Sequence, residues 1–250
     1  MPKTKLYALD FDGVICDSAI ETGMTGWKVA SQLWPDMPTE IPVDMLEKFR
    51  QVRPVMETGY EAILIMRKLF EGTAPRLLLD QFAIQIKTII RRDELNVAGL
   101  KRRFGEHRDI WIHDHLDEWI MMNPLFEGIA EKLRKIDHQL TYIITTKQER
   151  FVSEILKANN IIFPEKHIYG LERELSKQQI LADLSASHLD HQIVFVEDRL
   201  PTLIIVNDDS RLAKVQLYFA DWGYNTEQDK LAAKEQTSIT TINLAEILVL

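Results

Sequence analysis

Apolar and polar positions along the chain follow three different periods in turn. Leu6-Tyr7-Ala8-Leu9 is apolar on both faces, the pattern of a strand buried in the middle of a parallel sheet. The run stops abruptly at Asp10-Phe11-Asp12-Gly13-Val14. From about Asp17 to Met121, apolar and charged residues recur at helical spacing and predict helices over 19–33, 43–50, 60–70, 75–92 and 109–120. Pro35, Pro38, Pro42 and Pro54 break the early part of this stretch; Gly72, Gly99 and Gly105 read as breaks in the later part. From Asn123 onward, helical segments alternate with short apolar runs. Helices are predicted over 126–136, 149–158 and 177–184, strands over 140–145, 167–169, 193–196, 215–220 and 239–242, with Asn243 capping a final helix. Strands separated by helices predict an α/β fold built on a doubly wound parallel sheet. The helical stretch then becomes an insertion: a Rossmann-like core of 1–15 and 122–250, and an all-helical domain of 16–121.

Composition narrows the classes of function. The chain has 250 residues, is 46% hydrophobic and 27% charged, and suits one core domain with an insert. Its net charge of −8 argues against duplex nucleic acid or an anionic membrane as partner. The single cysteine, Cys16, excludes an intrachain disulfide framework and a multi-cysteine zinc site, and reads as a small apolar packing residue. Met1 to Lys5 lacks the apolar core of a secretory leader, and no apolar run approaches the about 20 residues of a membrane span, so a cytoplasmic protein is expected.

Candidate chemistry sits at strand ends. Side chains alternate along an extended chain, so Asp10 and Asp12 point the same way while Phe11 turns into the core. Ligands of open α/β sheets bind at the carboxyl ends of the strands. A calcium loop is excluded because the next ligand positions hold Val14 and Cys16. Three later groups stand in equivalent places: Thr145 after Tyr142-Ile143-Ile144, Asp198 with Glu197 after Val194-Phe195-Val196, and Lys177 at a helix start. These residue types suit phosphoryl transfer. Asp10 would attack phosphorus, and Asp12 would protonate the leaving alkoxide and later take a proton from water. Magnesium at Asp10, the Asp12 backbone carbonyl and Asp198 would offset the charge, while Lys177 and Thr145 hold phosphate oxygens.

Together the motifs Asp10-Phe-Asp12-Gly-Val, Ile144-Thr145-Thr146-Lys147, Leu175-Ser-Lys177-Gln-Gln-Ile and Val196-Glu197-Asp198 resemble the haloacid dehalogenase-like hydrolase superfamily. The chain is most similar to its phosphoglycolate phosphatase-like group, including Asp221-Trp222-Gly223-Tyr224, and the helical stretch falls where that family carries its first cap. The resemblance implies a magnesium-dependent phosphatase acting on a small phosphorylated metabolite. It places Thr146 with Thr145 and Lys177 at the phosphate. Many relatives carry another acid four residues after the fourth-motif aspartate; here that position is Thr202, and Glu197 is expected to supply the second acid, directly or through a water. Within the insertion, Lys28, Arg50 and Arg53 are the cations to test for substrate contact, Lys101-Arg102-Arg103 reads as a solvated face, and Trp27, Trp34, Trp111 and Trp119 read as core. His113 and His115, two apart on a helix, do not face one side and are not expected to bind metal. A phosphomutase uses the same groups and stays open as an alternative, as does a non-catalytic binding module on the same fold. Intact Asp10, Asp12, Thr145, Lys177 and Asp198 weigh against the latter.

Overall fold

The computed structural model describes residues 4–250. Residues 1–3, which open the stretch read as lacking a leader, lie outside the described residues. The chain forms two units, one of residues up to Asp17 and from Leu125 to Leu250, the other Ser18–Pro124. No helix among the described residues is long and apolar enough to cross a membrane.

Strand β1 (Thr4–Leu9) opens the first unit. The second unit follows it as five helices: α1 (Ala19–Leu33), α2 (Met45–Val52), α3 (Glu61–Phe70), α4 (Pro75–Arg92) and α5 (Val97–Met121). Then come α6 (Ile129–Lys135), β2 (Thr141–Ile144), α7 (Glu149–Ala158), β3 (Ile168–Tyr169), α8 (Lys177–Ser187), β4 (His191–Glu197) and α9 (Leu200–Asn207). The chain ends with β5 (Gln216–Ala220), α10 (Glu227–Glu235), β6 (Ile239–Ile242) and α11 (Leu244–Val249). All pairings are parallel, in the order β3-β2-β1-β4-β5-β6. The chain therefore steps outward from β1 to β3, then returns to lay β4 on the other side of β1. That reversal makes a topological switch point at the carboxyl end of β1, where α/β sheets hold their ligands.

The expected fold class holds, and the differences are local. Helices 19–33, 75–92 and 149–158 and strand 239–242 match the observed elements residue for residue. Asn243 caps α11 through a capping box with Glu246. The helix expected over 109–120 instead begins at Val97 and runs through both Gly99 and Gly105. Gly99 lies in the first turn, its N–H held by the Asn96 side chain at 2.9 Å, and Gly105 is buried. Tertiary burial thus outweighs the roughly 1 kcal/mol that glycine costs a helix. His115, inside α5, has non-helical angles and marks a kink. Helices α9 and α10 had no counterpart in the periodicity. The first is nearly all apolar, with Leu200, Leu203 and Val206 buried, so it shows no polar face; the second is nearly all polar and is set by a Thr226–Asp229 capping box.

The second unit packs its own core around Trp27, Phe49, Ile63, Leu78 and Phe104. Trp34, Trp111 and Trp119 are buried as well, and Cys16 is buried in the first unit. Through the helical unit runs one fully buried ion pair. Arg108 of α5 donates Nε to Glu21 Oε1 at 2.8 Å and a second nitrogen to Oε2 at 2.5 Å. Thr25 Oγ1 (2.7 Å) and Trp119 Nε1 (3.1 Å) also donate to Glu21 Oε1. A buried charge pair adds little over a well-packed apolar pair, but leaving one partner alone costs about 3–5 kcal/mol.

Arg108→Leu is therefore expected to destabilise the helical unit by about that 3–5 kcal/mol, while Glu21→Leu with Arg108→Leu recovers most of the loss. Denaturant unfolding followed by tryptophan fluorescence reads this unit, since four of the five tryptophans lie in it. A double variant as unstable as the sum of the two single variants would show that the groups are not coupled.

Candidate active site

The carboxyl ends of β1 and β4 bring three carboxylates together. Asp10 directly follows β1, and its N–H donates to Val196 O of β4 at 2.9 Å. Asp10, Glu197 and Asp198 are buried, and one carboxylate oxygen from each lies within 4.8 Å of the others. At about 4 Å, two like charges repel by about 4 kcal/mol at an effective dielectric constant of about 20. Cations answer part of that repulsion. Lys177 Nζ lies 2.9 Å from Asp10 Oδ1 and 2.6 Å from Glu197 Oε2. Its place is unusual for a lysine: it is the first residue of α8, whose cap Ser176 accepts from Gln179 N–H, and a helix amino end disfavours positive charge. The two carboxylates outweigh that and outweigh burial, holding the ammonium above its ordinary pKa.

Burial, reinforced by the charge of Glu197, pushes the Asp10 carboxyl up to about 7, against the pull of Lys177. Glu197 is also buried, but Lys177 and the Arg199 N–H hold it below the ordinary range. Both Glu197 oxygens accept hydrogen bonds, Oε2 from Lys177 and Oε1 from Arg199 N–H at 3.1 Å.

Asp198 is fixed by the segment after β5. Tyr224 N–H donates to Asp198 Oδ2 at 2.6 Å, and Asn225 Nδ2 donates to the Asp198 carbonyl at 3.3 Å. Gly13 has φ of +92°, and a Cβ there would strike the Asp198 carboxylate; a Cβ on Gly223 would strike Asp198 Cβ and the Gly13 carbonyl. Both glycines allow the first and fourth motifs to close on each other. The Tyr224 hydroxyl donates to Asp17 at 2.8 Å, and Trp222 Nε1 to the Val14 carbonyl at 3.3 Å.

Thr145 follows β2 and is buried, with its N–H on Tyr169 O of β3. Its hydroxyl oxygen accepts the Lys147 N–H at 3.1 Å, which leaves the hydroxyl proton to donate elsewhere. Thr146 is exposed. Asp12 turns to Lys147, whose Nζ donates to Asp12 Oδ1 at 2.9 Å. Lys147 was not singled out from sequence. Its side chain is 1% exposed, whereas a lysine after two threonines reads as a loop lysine.

The structure thus gathers Asp10, Glu197, Asp198 and Lys177 into one group and sets Asp12 beside Lys147 rather than in that group. Thr202 lies in the first turn of α9. Lys28, Arg50 and Arg53 lie in the helical unit. Lys28 Nζ sits 3.6 Å from the centre of the Trp111 ring, Arg50 is exposed in the last turn of α2, and Arg53 is buried. Burial lowers the Lys28 pKa against the attraction of Glu118 and Glu21. No histidine joins the carboxylate group among the described residues.

The donor set suits a hard divalent cation. Oxygen ligands select magnesium, calcium or manganese over softer metals. Asp10, Glu197 and Asp198 outnumber Lys177 by two charges when ionised, and that buried excess matches a doubly charged ion.

No family model matches the chain, and no curated protein matches it in sequence. Solved structures are similar to it in fold. A predicted phosphoglycolate phosphatase from Haemophilus somnus is 17% identical with a TM-score of 0.59, over 100% of this chain and 98% of that one. A predicted phosphatase from Clostridium acetobutylicum is 12% identical with a TM-score of 0.57, over 99% and 97%. A HAD family hydrolase from Deinococcus radiodurans, solved with bound phosphate and sodium, is 14% identical with a TM-score of 0.51, over 99% and 94%. The chain has the fold of the haloacid dehalogenase-like hydrolases: a Rossmann-like core with a helical insertion.

The Asp10 shift has a defined sign. Between its ordinary value of 3.8 and about 7, folded Asp10 holds a proton that the unfolded chain has lost. This group therefore makes the metal-free protein progressively less stable as pH rises through that window. A cation bound to Asp10 must displace the proton, so magnesium affinity is expected to rise with pH up to about 7, with proton release below that value. Calorimetric titration in two buffers of different ionisation enthalpy measures the release. Identical heats at pH 6 in both buffers would remove Asp10 from the ligand set.

Proposed function

We propose that the chain is a magnesium-dependent phosphatase that hydrolyses small phosphate monoesters through an aspartyl-phosphate on Asp10. The observation that carries this reading is Asp10 itself. It is buried at the switch point of the sheet, 2.9 Å from Lys177 Nζ and in one group with Glu197 and Asp198. The likeness in fold to a predicted phosphatase supports the reaction class.

Asp10, Asp198 and the Asp12 backbone carbonyl would hold the magnesium, and Glu197, already engaged by Lys177 and Arg199, would contribute its charge or reach the ion through water. Magnesium supplies positive charge that lets an anionic nucleophile approach a phosphate dianion. Asp10 attacks phosphorus, and the bond between phosphorus and the ester oxygen breaks. Asp12 gives its proton to that oxygen, so the alcohol leaves neutral. Lys177, the Thr145 hydroxyl and Thr146 hold the phosphoryl oxygens as charge redistributes. Asp12, now a carboxylate, takes a proton from the water that attacks the aspartyl-phosphate; Asp10 is regenerated and phosphate departs. The substrate is proposed to be a small phosphorylated metabolite.

The importance of Asp12 depends on how badly the leaving group needs a proton. Phosphoglycolate expels a basic alkoxide, whereas 4-nitrophenyl phosphate expels a stable anion. Asp12→Asn is expected to slow alkyl ester turnover by about 10²–10⁴-fold. With the nitrophenyl ester the first step should suffer less and aspartyl-phosphate should accumulate, because the water still lacks its base. Asp10→Asn should abolish both reactions and trap nothing. A phosphate-release screen of phosphorylated metabolites with magnesium, repeated with these variants, is the test. An active Asp10→Asn protein, or full activity in excess chelator, would sink the proposal.

A further inference from the structure

The loops that follow β2 and β3 are tied together amide by amide. Three successive N–H groups of the second loop donate to the first. Gly170 N–H reaches Glu149 Oε1 at 3.0 Å, Leu171 N–H reaches the Lys147 carbonyl at 3.1 Å, and Glu172 N–H reaches Glu149 Oε2 at 3.2 Å. Gly170 lies so close that a Cβ there would collide with the Lys147 carbonyl and press on the Glu149 carboxylate. Two ion pairs cross the same seam in opposite senses: Arg173 Nε lies 3.7 Å from Glu149 Oε1, and Arg150 pairs with Glu172. A glutamate in the first turn of a helix ordinarily serves the helix dipole, which a solvated carboxylate does equally well. Glu149 instead commits both oxygens to backbone donors of another loop, and its side chain is only 18% exposed. Beyond the seam, Glu174 takes a left-handed turn at φ +54°, which a non-glycine residue holds only where its surroundings impose it. Ser176 and Lys177 follow directly after that turn and open α8.

We propose that Glu149 is a positioning residue for phosphate: by clasping the 170–172 backbone it sets the spacing between the Thr145 hydroxyl, carried by the first loop, and the Lys177 ammonium, carried at the end of the second. This rests on the reading of Thr145 and Lys177 as the groups that hold the phosphoryl oxygens. Thr145 is placed by its own N–H, which donates to Tyr169 O at 2.9 Å, and its hydroxyl oxygen accepts the Lys147 N–H at 3.1 Å. A run of hydrogen bonds thus leads from Thr145 through Lys147 and Glu149 to the backbone that delivers Lys177. Two donors on separate loops must meet one tetrahedral anion together. Loops that have to be ordered when the ligand arrives take that ordering cost out of the affinity, and loops already joined do not. A carboxylate suits the task, since hydrogen bonds to an ionised acceptor are stronger than neutral ones and its two oxygens take two separate N–H groups.

Glu149→Ala, Glu149→Gln and, as a control, Arg173→Ala test the role. Inorganic phosphate in the presence of magnesium is the binding probe, and amide hydrogen exchange reads the loops. Glu149→Ala is expected to weaken phosphate binding by about tenfold and to raise KM for 4-nitrophenyl phosphate by a similar factor, with kcat changed less than KM. The Gly170 and Glu172 amides should lose protection in that variant while those of β4 keep theirs. Glu149→Gln keeps one acceptor oxygen and should fall between Glu149→Ala and the native protein. Arg173→Ala leaves both backbone bonds in place and should stay within about twofold of native affinity, as expected for loss of a partly exposed ion pair. Affinities are compared per folded site, so a merely structural glutamate would lower the yield of folded protein and leave phosphate binding unchanged. Native phosphate affinity in Glu149→Ala would overturn the proposal, as would amides that stay protected. An equal loss in Arg173→Ala would also overturn it, by assigning the effect to surface charge. A native protein that binds no inorganic phosphate would overturn the phosphatase reading itself and this proposal with it, a failure visible before any variant is made.

Discussion

Repulsion between carboxylates is the constraint on which the rest of the first unit depends. Asp10, Glu197 and Asp198 place oxygens within 4.8 Å of one another in a region almost closed to water, and Asp12 lies two residues from Asp10. Such a cluster cannot stay fully ionised unaided. The fold answers with two lysines at backbone positions that hold them firmly: Lys177 at the start of α8, and Lys147 between Thr145 and Leu171. Burial, with the charge of Glu197 added to it, still leaves the pKa of Asp10 raised.

The same constraint explains the small residues around the cluster. Asp198 must be placed without access to bulk water, and its Oδ2 takes a backbone donor, Tyr224 N–H. That donor reaches it only because Gly13 and Gly223 have no side chains to hold the strand-end loops apart. Trp222 and Tyr224 then tie the loop after β5 to Val14 and Asp17, which fixes the turn following Asp12. Charge placement, glycine use and aromatic contacts here are one solution to one electrostatic problem.

Much of this was legible in the sequence because it is local. A buried strand that ends in Asp10-Phe11-Asp12-Gly13 shows itself within a few residues, and Thr145, Lys177 and Asp198 each follow or open a periodic element. Parallel topology followed from the alternation of helices and strands after Asn123. What stayed hidden depends on distant partners. Lys147 meets Asp12 across 135 residues of sequence, and Arg108 meets Glu21 across 87. Periodicity carries no trace of such pairs, and each of these cations reads as solvated until its partner is known. Helix α5 was cut short in the reading for the same reason: the packing that carries it through Gly105 is tertiary. Helices α9 and α10 lacked the contrast of faces that periodicity needs.

Division of the site between two lysines has a further physical consequence. Were one cation shared by all the carboxylates, any movement of Asp12 during a reaction would also disturb Asp10. In the proposed reaction, separate partners would let Asp12 change its charge while Lys177 keeps its hold on Asp10 and Glu197. Lysine rather than arginine suits this arrangement, since an ammonium is a compact charge that can bridge two oxygens without imposing the planar fork of a guanidinium. With a divalent ion present, four carboxylates and two lysines approach neutrality. In the proposed reaction a phosphate dianion would then meet oriented hydrogen-bond donors in place of a wall of negative charge. Small dipoles such as the Thr145 hydroxyl would decide where the phosphate sits, since in a water-poor site a dipole counts for more than it does in solvent.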